Sequence, residues 1–480
     1  MPALWLEKCP AMTSISPPVV EGHSSRIVPL IVAVALLMEN IDGAVLSTSL
    51  PAIATDLGSD PIHLKLVLTT YLLALAMFIP ASGWAADRFG ARLVFRWAIM
   101  VFAAGSIASG MSNSLLELVG ARTLQGIGGS MMVPVGRLIV PRAVPRDGLV
   151  GALAWLTVPV LVGPVLGPPL GGYITTYWDW RWIFWINIPL AVLGVVLVSL
   201  FIPDIREKAV RGFDSVGFLM AGPGLAAFLT GVTLAGLNLA TPVVIGGLVL
   251  GGLALIAAYV RHAFRVAEPM IDLRLLALPT FRISMVAGTL FRVSVGALPF
   301  LLPLMLQYGF GMTPFQSGML TFVSGAGALV MKFVAQPVLR RFGFRGVLTG
   351  NVVIAALFIL GPAFFTQATP AAVMMLVLFA GGLSRSLQFA AVNAIGYADV
   401  NAERLSSATS FSAVAQQLSG SVGITIAAMG LEAVGWLRGV TAVDVGNFPW
   451  VFGVIAAMAA SSTFAFARLG DKAGAGLVKR

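Results

Sequence analysis

The sequence predicts an all-α polytopic membrane protein of fourteen transmembrane helices, with both termini in the cytoplasm. Three observations carry that prediction. The 480 residues are 58% hydrophobic and 10% charged, against roughly 25% charged in an average soluble domain. Apolar runs of about 20 residues, long enough to cross a bilayer core as helices, recur along the whole length. Basic residues crowd into every second loop between those runs, as the positive-inside bias requires. The net charge of +10 is spread over these loops, so it orients the chain and does not build a nucleic-acid patch.

Taken in order, residues 1–26 form a cytoplasmic tail of mixed acids, bases and prolines. The tail lacks the short apolar core and cleavage site of a secretory signal, so the first span is expected to act as an uncleaved insertion signal. Apolar runs bounded by charge, Pro or Gly then give Ile27 to Leu46, Leu66 to Ala85, Leu93 to Met111, Leu115 to Val135, Leu149 to Ile174 and Ile183 to Ile202. These six make an N-terminal bundle over 27–202. Residues 203–279 form a linker holding two inserted spans, Val216 to Leu237 and Val243 to Val260. The second bundle, 280–468, holds Ile283 to Leu306, Ser317 to Val338, Val347 to Thr366, Ala371 to Ala391, Ala408 to Leu431 and Phe448 to Phe466. A cytoplasmic tail, 469–480, closes the chain.

On this count the outer loops hold only Lys65, Arg181 and Arg438 of the 30 Lys and Arg, while Arg122, Arg292, Lys332 and Arg385 fall inside spans. All the others lie inside. "DRFGARLV" (Asp87 to Val94) after the second span resembles "RRFGFRGV" (Arg340 to Val347) after the tenth, which suggests two repeated halves. The same alignment sets Arg292 opposite Glu39.

Several chemistries are disfavoured. Cys9 is the lone cysteine, so there is no intrachain disulfide or cysteine metal cluster, and His23, His63 and His262 are assigned to tails or loops. No phosphate loop and no nucleophile beside a histidine is visible, so neither ATP-driven export nor an enzyme is expected. No cofactor or metal is expected either. The expected partners are a proton, a small-molecule substrate and the bilayer of a bacterial cytoplasmic membrane, with no nucleic acid and a functional monomer.

Three motifs carry the polar chemistry. "GWAADRFGARLVFR" sets Gly83, Asp87, Arg88, Gly90 and Arg92 at the inner membrane edge. "ARTLQGIGG" buries Arg122 and Gln125 about 10 Å below the outer edge, where an arginine must face a cavity or a partner. "VGPVLGPPLGG" concentrates Gly163, Pro164, Gly167, Pro168, Gly171 and Gly172, which suits a kinked helix packed closely on its neighbours. In this order these segments resemble the signatures of the major facilitator superfamily. "ENIDGAVLSTSLPAIATDL" and "WRWIFWINIP" are similar to segments of its fourteen-span drug:proton antiporter branch, the EmrB/QacA type. The resemblance implies two six-helix bundles rocking about a central site, with export driven by inward proton flow. It also implies a conformational latch at Asp87 and Arg92, a proton-linked Arg122, a first-helix acid at Asp42 and an antiporter motif in the fifth span. Glu39 stands where that branch more often has a neutral residue.

Glu39 and Asp42, three apart on one helix face, lie past the bilayer centre toward the outside. Each buried charge costs about 2.5–3.5 kcal/mol, so lipid exposure is excluded and at least one acid is expected to bind and release a proton. With Arg292 as partner of Glu39, Asp42 becomes the expected proton carrier. Lys332 is expected to snorkel to the cytoplasm. Asn40, Gln125, Arg292, Arg385, Gln388, Asn393, Gln416 and Gln417 are expected to make a polar cavity of mixed sign. The expected function is proton-coupled efflux of small organic compounds or drugs by alternating access. Export of anionic or metal-chelating metabolites such as organic acids, or lipid handling, is the alternative.

Overall fold

The computed structural model describes residues 24–144, 149–204, 212–235, 240–470 and 473–477. Cys9, His23, most of the N-terminal tail, part of the C-terminal tail and residues 205–211 of the linker lie outside them. Among the described residues there are helices and turns but no strands.

Helices α1 (Ser24–Asp56), α2 (Lys65–Phe89), α3 (Ala91–Gly110), α4 (Leu115–Ala143) and α5 (Leu149–Tyr177) follow one another along the chain. The sixth span is divided into α6 (Trp182–Trp185) and α7 (Asn187–Phe201). Then come α8 (Ser215–Leu234), α9 (Pro242–Ala263), α10 (Pro279–Gly296), α11 (Leu298–Leu304), α12 (Pro314–Leu360), α13 (Ala371–Gly396), α14 (Leu405–Arg438) and α15 (Phe448–Phe466). Among the described residues, 11 helical stretches are long and apolar enough to cross a membrane. One of them, Pro314–Phe364, runs 51 residues, over twice what a bilayer core requires. The helices outrun the apolar stretches because capping residues and polar turns continue them past the hydrocarbon. His262, expected in a loop, sits in the last turn of α9, where a basic side chain suits the helix C-terminus.

The repeated "RFG" has a shared backbone device. Gly90 ends α2 with φ 96°, and Gly343 breaks α12 with φ 69° and ψ 165°. Both lie in the region that only glycine enters without strain, so each turns the chain sharply between two membrane helices.

Helix α1 packs on α5 and α7, and α4 packs on α2 and α3; α10 lies on α14 and α15, and α12 on α13. Contacts of α5 with α12 and of α2 with α14 join the two sets. The α8–α9 pair leans on α2 and α14 through α8, while α9 shows its apolar side outward, with Val243 84% and Leu250 69% exposed. A surface of that kind belongs against lipid. Asp214 anchors the pair. It accepts from Gly217 N (2.8 Å), Met270 N (3.2 Å) and the His262 ring (2.7 Å). Burial pushes its carboxyl up, but these hydrogen bonds outweigh burial and hold it below the usual carboxylate range.

The end bearing the α1–α2 connection, which the charge asymmetry of the sequence expects to be the outer one, is closed by polar contacts. Gln307 Nε2 donates to Thr48 O (2.9 Å) and Tyr308 Oη to Pro51 O (3.3 Å). Both donors sit on a π-turn, Met305–Gly309, that re-aims them at α1. Lys65 Nζ meets Glu432 Oε1 at 3.4 Å between α2 and α14. Beneath this closure a cavity of about 930 Å³ reaches the opposite end at Arg137, Tyr397 and Thr409.

Candidate functional site

Asp42, at mid-depth in α1, is the hub of a buried network. Its Oδ2 accepts from Arg122 Nη1 at 2.6 Å, and its Oδ1 accepts from Gln125 Nε2 at 2.7 Å and Asn187 Nδ2 at 3.0 Å. The i, i+3 spacing of Arg122 and Gln125 puts both on one face of α4, where Arg122 Nη1 also donates to Gln125 Oε1 at 2.6 Å. Ser106 of α3 accepts from both amides, Gln125 at 3.2 Å and Asn187 at 3.0 Å. The Arg122 guanidinium is 0% exposed and lies 4.2 Å over the Tyr71 ring. A charge pair this deep holds only while each partner stays. Removing one leaves an uncompensated buried ion, at a cost of about 3–5 kcal/mol.

Glu39 stands one turn away in different circumstances. Its Oε2 is buried with no hydrogen-bond partner, and Arg137 is the base that bears on it. The expected pairing of Glu39 with Arg292 is not formed. Arg292, 3% exposed, donates from Nη2 to Asn393 Oδ1 at 2.8 Å, and its Nε and Nη1 have no acceptor. Packing of α10 on α13 turns Arg292 toward Asn393, away from α1. The premise that made Asp42 the proton carrier therefore fails: Asp42 is saturated with donors and Glu39 has none on Oε2.

The cavity takes in some of the expected polar residues and leaves out others. Asn40, Arg385, Asn393 and Gln416 line it; Gln125, Arg292, Gln388 and Gln417 do not. Gln388 is instead buried between α13 and α12, donating to Leu348 O (3.1 Å) and accepting from Asn351 (3.0 Å). Arg385 donates to the Ser324 hydroxyl. Lys332, expected to snorkel, lines the cavity, and so does Arg137, which counted only as an inner-edge base. The charged lining residues are Arg137, Lys332 and Arg385, and among the described residues none of the three is in an ion pair. The lining is thus basic, where mixed sign was expected.

At the inner edge Asp87 accepts from Arg142 Nη2 at 3.1 Å, Arg92 donates to Ser199 O, Arg88 is exposed and Gly83 has open space beside it. In α5, a Cβ added at Gly163, Gly167 or Gly171 would strike α1, and one at Gly172 would strike Pro314 O. Pro164 and Pro168 of the same helix face the cavity. Ser106, Asn187 and Tyr71 escaped the sequence reading. Ser and Tyr in a span carry no signal of their own, but the Asn in "WRWIFWINIP" was a polar residue inside an apolar run and could have been singled out.

Comparison with known proteins gives the family and the fold. The family model described as Major Facilitator Superfamily matches residues 32–424. A protein of Serratia proteamaculans, provisionally named multidrug resistance protein MdtD, is 38% identical over 402 residues, covering 83% of each chain. Its namesake from Klebsiella pneumoniae is 36% identical over 459 residues, covering 94% of this chain and 96% of its own. Among solved structures, an auto-inhibited POT family peptide transporter is similar with a TM-score of 0.69 at 16% identity, over 93% of this chain and 98% of that one. A D-xylose–proton symporter is similar with a TM-score of 0.65 at 16% identity, over the same shares. At these identities the two structures speak to the fold alone.

Proposed function

This chain belongs to the major facilitator superfamily, and from that premise we propose that it exports small organic compounds in exchange for protons. It is a multi-pass membrane transporter of the bacterial cytoplasmic membrane, with relatives named for multidrug resistance. The finer reading is fourteen passes in two six-helix bundles plus the inserted α8–α9 pair, with both termini inside. The closed outer end and the cavity running to the inner end suit an inward-facing state of alternating access.

One observation carries the proton coupling: the buried, unpartnered Oε2 of Glu39, beside a saturated Asp42–Arg122 pair and next to the cavity wall at Asn40. A carboxyl held without a fixed partner can take and lose a proton without dismantling its surroundings. Glu39 is then the proton carrier, and Asp42, Arg122 and Gln125 its fixed support. Asp87, Arg88 and Arg92, turned by Gly83 and Gly90, serve as the latch. The glycine face of α5 is the surface on which α1 and α12 pivot.

A second reading, export of organic anions, is favoured by the basic lining of Arg137, Lys332 and Arg385. The two readings differ in the sign of coupling. A protonated Glu39 makes the cavity more positive, which repels a cation and attracts an anion. Proteoliposomes with an imposed pH gradient, loaded in turn with cationic dyes and with organic acids, test both. Antiport of a dye that Glu39→Gln abolishes supports the drug reading. Co-movement of proton and acid supports the anion reading, and flux indifferent to pH refutes proton coupling altogether.

A further inference from the structure

We infer that Asn187 is the positioning residue of the proton site: it holds Asp42 as a charged anchor, so that the exchanged proton resides on Glu39. The inference rests on the proton coupling proposed above. Residues Trp180 to Asn187 grip α1 in two places. At the outer end Trp180 Nε1 and Arg181 Nη1 both donate to Asp56 Oδ2, at 3.1 and 2.9 Å. At mid-depth Asn187, the first residue of α7, reaches Asp42 at 3.0 Å. Between the two grips Phe184 O accepts from Ser106 Oγ at 3.0 Å, which fixes α3 to the same segment.

The use Asn187 makes of its amide reveals the role. Its Nδ2 serves two acceptors, Asp42 Oδ1 and Ser106 Oγ, while its Oδ1 is buried without a partner. An asparagine buried to 1% exposure that spends its donors and orphans its acceptor is placed to donate. Together with Arg122 and Gln125 it supplies donors to both carboxylate oxygens. A proton on Asp42 would oppose one of these donors with another, so the shell excludes the proton as well as satisfying the charge. The charged and titratable groups facing Asp42 are Arg122 from α4, Glu39 from its own helix and Tyr71 from α2. Among the described residues α7 offers it the neutral Asn187, and Ser106 of α3, also neutral, stands behind that amide.

Removing Asn187 vacates one of those donor positions and lets Asp42 accept a proton. The test is pH-difference infrared spectroscopy of the purified full-length protein in nanodiscs, read at the carboxylic C=O stretch and paired with the pH dependence of flux. The wild type is expected to show a titrating band that Glu39→Gln removes. The Glu39→Gln, Asn187→Ala double variant is expected to regain a band of about half the wild-type amplitude, together with a pH-dependent flux. Glu39→Gln with Ser106→Ala, which keeps Asn187 and Gln125 and removes the hydroxyl that both amides donate to, is expected to change in the same direction by less. If neither double variant regains a titrating carboxyl while both stay monodisperse, the inference is wrong. Wild-type flux independent of pH would sink the proton coupling instead, leaving the bands to judge Asn187.

Discussion

The two acids of α1 differ in what surrounds them and not in what they are. Asp42 is 3% exposed and receives three donors, whereas Glu39 keeps a buried oxygen without one. Asp42→Asn is therefore expected to lower the thermal stability of the detergent-purified protein, on the order of 3–5 kcal/mol, by stranding Arg122. Glu39→Gln replaces a carboxyl whose buried Oε2 has no hydrogen-bond partner, so it is expected to leave stability unchanged or raise it. Equal losses in the two variants would contradict this contrast. Sequence alone made both acids legible as costly, because a charge in an apolar run is conspicuous. Their partners were not legible. Arg122 and Arg292 are equally conspicuous in the chain, and only the packing of α4 on α1 and of α10 on α13 decides that one meets an acid and the other an amide.

At the level of elements, apolar length and Gly or Pro punctuation placed the long apolar helices, while their full extents and the breaks inside them were hidden. Nothing in "ALPFLLPLMLQYG" announces a π-turn at Met305–Gly309, since its cause is the docking of Gln307 and Tyr308 on α1. The anchor of α8 was equally silent. Asp214 looked like one acid in a charged linker, yet it joins the start of α8, the end of α9 and the segment after it. Its carboxyl is held below the usual range, so its support is present above the unfolded-state value and disappears only as pH falls through the lower folded-state value. Amide exchange at the start of α8 is expected to stay slow from neutral pH down through the ordinary carboxylate range and to quicken below it. In Asp214→Asn that dependence on acid is expected to vanish. Quickening within the ordinary range would contradict the assignment.

For the molecule as a whole, the outer closure sets which side of the membrane the cavity serves. Lys65 is 0% exposed and its single ion-pair contact crosses from α2 to α14. On the alternating access proposed above, opening at this end must part that pair, with the release of Gln307 and Tyr308 from α1. Lys65→Met and Glu432→Gln are each expected to move the population toward the outward-open state severalfold. Spin labels across the outer end, read as distance distributions, would register the shift, and distributions identical to wild type would remove the pair from the gate. The basic cavity was the part least readable in the chain. Arg137 and Lys332 were counted as inner-edge and snorkelling charges because sequence gives their depth but not the direction in which they face.

Gln307 and Tyr308 close the outer end on the main-chain carbonyls of Thr48 and Pro51. Every residue type offers that same acceptor. The α1 half of the closure can therefore drift through substitution without loosening, while the half on the π-turn Met305–Gly309 is tied to side chains that can donate. Mutational tolerance at the gate should be lopsided, with one rim free to diversify toward whatever cargo or environment the bacterium meets and the other kept under constraint.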